Sequence, residues 1–186
     1  MEINMENLMN TAIQEMKDGQ HAEAAKHFDM VVINDASNID APFFRAYCNC
    51  YDIKLGEMSN AAIGFTNAFC RYVDCVKALN DKDVEKEKLD YAVALLTTLV
   101  SFYQHNAKRT MLTAPTVGLG ISAAASNMNT NCRNKLVASG ANVSTTVLEQ
   151  NKTQDTSNAG TMGWIILFAA LGVVAFILWM GWGILW

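Results

Sequence analysis

The side chains of this 186-residue chain equipped for chemistry are its five cysteines, its three histidines and a dense set of acids. Cys48, Cys50, Cys70 and Cys75 fall close together, and Cys132 stands apart. Zinc sites favour Cys-x-x-Cys pairs on turns, whereas Cys-x-Cys on a helix turns its two sulfurs to different faces. An odd number of thiols also argues against a disulfide framework and fits small buried side chains in a reducing compartment. His21, His27 and His105 form no cluster in sequence. No P-loop, Gly-x-Gly-x-x-Gly, His-Glu-x-x-His or Gly-x-Ser-x-Gly motif occurs. The chain is therefore expected to be no enzyme and to hold no cofactor or metal. The run from Asp81 to Lys88 mixes both signs at helical spacing, which predicts a solvated face with i,i+4 pairs. Asn142-Val143-Ser144 and Asn151-Lys152-Thr153 match glycosylation sequons, which matter only on a lumenal side.

The charges that surround these groups are unevenly placed. The net charge is −4, with −5 in residues 1–110, +1 in residues 111–160 and none in residues 161–186. Nucleic-acid binding relies on clustered Lys and Arg that neutralise phosphates, so the acidic front of the chain argues against it.

Apolar spacing in residues 1–110 follows the helical period. Leu8, Ala12 and Met16 precede Asp18-Gly19, and Ala24, Phe28, Val31 and Val32 follow. Tyr47, Tyr51 and Leu55 then lead into Gly56, followed by Ala61, Phe65, Ala68 and Phe69. Setting Gly19 on Gly56 gives a shift of 37 residues that also pairs Lys17 with Lys54, Ala24 with Ala61 and Phe28 with Phe65. Two such units imply a short stack of antiparallel helices. Asn80-Asp81 supplies a stop and a cap, and Leu89, Val93, Leu96, Val100 and Tyr103 trace a closing helix to about residue 108.

These units resemble the tetratricopeptide repeat (TPR), whose second helix carries a small residue with a large aromatic four positions later. Here the pattern reads Gly19…Ala24-x3-Phe28 and Gly56…Ala61-x3-Phe65, over roughly residues 5–71. Leu8 and Arg45 stand where the family has Trp, no Pro closes either unit, and the period exceeds the family's 34. The resemblance implies an all-α fold of about five helices whose first helices line a groove for a peptide or helix. The matching positions are Met9, Ile13, Lys17, Ala46, Cys50 and Lys54. Met9 and Ile13 would supply apolar anchors, and the two lysines would attract an acidic partner.

Residues 111–160 are rich in Thr, Ser, Asn, Ala and Gly, which predicts a flexible polar tether with at most a transient helix. Residues 161–186 carry no charge and are long enough to span about 30 Å of hydrocarbon. Trp164 at one end and Trp179, Trp182 and Trp186 at the other suit two interfacial belts. With no signal peptide ahead of it, this span predicts a tail anchor and a cytoplasmic domain. Ala169, Gly172 and Ala175 form a small-residue stripe that would permit weak self-association. In layout the chain is similar to the mitochondrial fission receptor, without the basic tail that follows that anchor. The expected function is a membrane-anchored, single-pass adaptor or scaffold for protein partners. The rival is an accessory subunit of a membrane enzyme or transporter.

Overall fold

A computed structural model of the chain describes residues 4–141 and 143. They lie in one compact unit, Met1–Val147. The proposed anchor, the last third of the tether and the small-residue stripe lie outside the described residues. Among the described residues all regular structure is helical, and no helix there is long and apolar enough to cross a membrane.

The helices start and stop where local chemistry directs. α1 (Met5–Lys17) is capped by Asn4, whose side chain accepts from the Asn7 N–H at 3.1 Å. It ends before Gly19, which takes φ +79°, the left-handed region that favours glycine. α2 (His21–Asn34) returns along it. Asn38 Oδ1 accepts from the Asp40 and Ala41 N–H groups and opens α3 (Asp40–Cys48). A 3-10 turn (Leu55–Glu57) leads into α4 (Met58–Ala78). Asp81 accepts from the Asp83 and Val84 N–H groups to cap α5 (Lys82–Met111). α6 (Pro115–Ala138) begins with Pro115 in its first turn, where a missing N–H costs nothing.

Neighbours in sequence are neighbours in space: α2 packs on α1 and α3, α3 on α4, α4 on α5 and α5 on α6. The 37-residue period survives in the second helices, since α2 begins at His21 and α4 at Met58. It fails in the first helices. α3 stops at Cys48 instead of running toward Gly56, because the next side chains are drawn into the core by other elements. Cys50 is fully buried, its Sγ 3.6 Å from the Ala61 carbonyl oxygen of α4, and Tyr51 stacks on His21 of α2 at 3.8 Å. Asp52, at φ +51°, turns the chain that Gly56 was expected to turn.

The core is aromatic. Phe28, Phe43, Phe65 and Phe69 are almost wholly buried, and Phe43 stacks on Tyr72 at 4.4 Å. Each buried Phe contributes about 1.5–3 kcal/mol by removal from water. Ala24 is fully buried as the repeat requires, whereas on α4 Ala62 takes the buried place and Ala61 is half-buried.

The expected tether is corrected over much of its length. α6 buries Ile121, Ala125, Met128, Cys132 and Leu136, a stripe spaced at three and four residues, against α4 and α5. It runs parallel to α4, with Ser59 and Gly120 sharing one end of a furrow and Lys135 Nζ 2.6 Å from Asp74 Oδ1 further along. Gly118 marks where α6 crosses closest to the end of α5. A Cβ there would sit 2.7 Å from the Met111 amide nitrogen and 2.9 Å from the Ala107 carbonyl oxygen.

Candidate protein-binding cleft

Alternate helices of the stack converge on one cleft of ≈ 310 Å³. α1 contributes Met9 and Ile13, α3 Asp40 and Phe44, and α5 Lys88 and Tyr91, with Tyr72 of α4 below. Met9 and Ile13 are half-buried, and Tyr91 is 39% exposed with its ring edge toward Phe44 at 5.9 Å. The polar groups at the base satisfy one another. Lys88 Nζ lies 2.8 and 2.7 Å from the two Asp40 carboxylate oxygens, and the Tyr72 hydroxyl donates to Asp40 Oδ1 at 2.7 Å. Asp40 also occupies the first turn of α3, where the helix dipole favours a negative charge. Burial first, and the Asp40 charge second, push the Tyr72 phenol well above its ordinary range, so it stays a donor.

This arrangement can receive side chains. Its volume is at the small end for ligand pockets, about 300–1,000 Å³. No Cys, Ser or His lines it. The apolar walls face the paired Asp40 and Lys88, with Glu87 also on the lining, which suits one or two large apolar side chains of a docked segment. Other cavities fit this use less well. One, ≈ 510 Å³ between α2 and α3, is edged by Lys26, Asp52 and the Asp29–Arg45 ion pair, with Ile53 as its main aliphatic wall. The furrow between α4 and α6, ≈ 270 Å³, is lined chiefly by small and amide side chains.

The six residues expected to form the groove separate. Met9 and Ile13 meet in the cleft. Ala46 lines a different cavity, between α3 and α4, with Pro42 and Arg71. Cys50 is sealed in the core. Lys17 is exposed at the end of α1, and Lys54 is exposed in extended backbone ahead of the 3-10 turn, at ψ 145°. The supposed equivalence of the two lysines therefore fails with the shortening of α3. Sequence reasoning missed Asp40, Phe44, Tyr72, Lys88 and Tyr91. Phe44 and Tyr91 carry a helical-spacing signal, but the Asp40–Lys88 pair joins positions 48 residues apart and leaves none.

The charged run at 81–88 is also corrected in part. Glu85 is buried and lies 3.4 Å from Lys77 Nζ, and Lys88 belongs to the cleft, while Lys86 pairs with Asp90 as the spacing anticipated. Burial pushes the Cys48 and Cys50 thiols up to about 12, and Cys132 higher still, so these sulfurs are protonated and unreactive at neutral pH. Among the described residues no three His, Cys, Asp or Glu side chains come together to hold a metal ion.

No protein-family model, curated protein or solved structure matches the chain. The described residues define an all-α domain of consecutively packed helices with one mixed apolar and ion-paired cleft.

Proposed function

We propose that the chain is a membrane-anchored adaptor, single-pass and with its helical domain on the cytoplasmic side, that holds an amphipathic segment of a partner protein in the α1–α3–α5 cleft. The observation that carries this reading is the convergence of three alternate helices on one partly apolar surface. A stack of TPR-like units offers its first helices in this way, and the uncharged residues 161–186 support the anchor. Met9, Ile13 and Tyr91 act as anchors for apolar side chains of the partner. Lys17 follows Ile13 by four residues on α1 and so flanks the cleft, where it attracts an acidic edge of the partner. Lys54 and Cys50 take no part.

A photo-crosslinking residue at Met9, compared with one at Ile33 on the exposed face of α2, tests this in native membranes. Ile33 is 73% exposed and does not line the cleft. A protein adduct specific to position 9, weakened by Ile13→Ala, is expected. Adducts formed only from positions in 161–186 would replace the adaptor by an accessory subunit that meets its complex through the span.

A further inference from the structure

After Asp90 the next acid in the sequence is Glu149. Residues 91–147 contain no Asp or Glu, but they hold Lys108, Arg109, Arg133 and Lys135. Lys135 is engaged with Asp74 on α4. Lys108 and Arg109 are exposed in the last turn of α5, opposite the face on which Tyr103, Ala107 and Thr110 are buried. His105, Lys108, Arg109 and Leu112 follow one another at i, i+3, i+4 and i+7, so they form one continuous exposed stripe. Leu112 continues the helical backbone at φ −73°, ψ −27° and is 87% exposed, the most exposed large apolar side chain of the described residues. Val117, at the start of α6, is 38% exposed just beyond the turn. Asp52 and Glu57 lie in the connection whose Tyr51 packs on Phe102 of α5 at 4.6 Å.

We infer that the His105–Leu112 face and the α5–α6 turn form a docking surface for the headgroup region of an anionic lipid bilayer. Lys108 and Arg109 lie over the anionic headgroups, and Leu112 enters the boundary between headgroups and acyl chains. A nucleic acid would use the two cations but would leave the fully exposed leucine without a purpose. The surface goes beyond the adaptor reading, because it concerns how the domain sits and not how the chain is retained. Removing one such cation weakens attraction to an anionic surface about fivefold.

Hydrogen exchange on the full chain in vesicles of phosphatidylcholine, with and without phosphatidylserine, tests the inference. Slower exchange of the turn amides around residues 110–116 is expected only where phosphatidylserine is present, and high salt should abolish it. Lys108→Gln with Arg109→Gln should lower the docking equilibrium constant by roughly 25-fold. Leu112→Ser should also release the turn, while unchanged exchange in the core of α4 shows that both variants are folded. Equal exchange on the two lipids, or protection by an oligonucleotide and not by vesicles, would overturn the inference. Alkaline extraction of the same samples separates the two readings. A chain that stays in the bilayer with an unprotected turn keeps the anchor and loses the docking face, and a turn protected on a chain that extracts does the reverse.

Discussion

Gly118 offers the sharpest test of the packing described here. The Cβ of an alanine at this position would meet Met111 Cγ at 2.6 Å, the Met111 amide nitrogen at 2.7 Å and the Ala107 carbonyl oxygen at 2.9 Å. The methionine side chain can move, but the two backbone atoms belong to the last turns of α5 and cannot yield without shifting the helix. Overpacking of this kind costs about 1–3 kcal/mol. Replacing glycine by alanine within a helix returns about 0.5–1 kcal/mol, so the net loss lies between about 0 and 2.5 kcal/mol. Gly64, inside α4, is the internal control: nothing lies within 4 Å of its added Cβ, so Gly64→Ala should gain about 0.5–1 kcal/mol. For a chain of this size each kcal/mol moves the melting temperature by about 2–4 °C. Thermal unfolding of the full-length variants, followed by far-UV circular dichroism and repeated with denaturant, reads the difference. Gly118→Ala melting at or above Gly64→Ala would show that α6 does not cross α5 at this distance.

Three further expectations follow from burial. Ala24→Leu should destabilise the fold by about 1–3 kcal/mol, and Ala61→Leu by clearly less, because only Ala24 is fully enclosed; equal losses in chemical denaturation would restore the strict repeat. Burial lowers the His21 pKa from 6.5, against the opposing pull of Asp52, so its contribution to stability is complete above 6.5 and declines as the pH falls toward the lowered value. Denaturation midpoints of wild type and His21→Gln should thus diverge at neutral pH and converge on acidification, and parallel pH curves would remove His21 as the cause. Asn129 is 1% exposed, and its Oδ1 is buried without a hydrogen-bond partner. An unsatisfied buried polar group costs about 1–3 kcal/mol, so Asn129→Leu should leave the melting temperature unchanged or raise it, and a marked fall would mean that the amide is satisfied in solution.

What the sequence disclosed, and what it hid, follows from the range of each interaction. α1, the Gly19 turn, α2 and the Asp81 cap were legible because their signals lie within a few residues of one another. The shared offset of α2 and α4 was legible as a repeat. The early end of α3 was not, since it depends on Cys50 meeting Ala61 and Tyr51 meeting His21 across the fold. α6 was legible in part. Ile121, Ala125, Met128, Cys132 and Leu136 carry the correct period, but the polar, uncharged residues between them lower the contrast between its faces and read as a tether. The cleft was half legible: Met9 and Ile13 came from the repeat alignment, while Asp40 and Lys88 could be joined only by the tertiary structure.

The succession of neighbour upon neighbour has a consequence for synthesis. A chain whose elements pack mainly on their immediate predecessors has low contact order and can close each interface soon after its second member leaves the ribosome. The main exception is α6, which covers both α4 and α5. Until it arrives, the surfaces that receive Ile121, Met128 and Leu136 stay open, and a nascent chain paused in that interval would be the species that chaperones bind and that aggregates most readily.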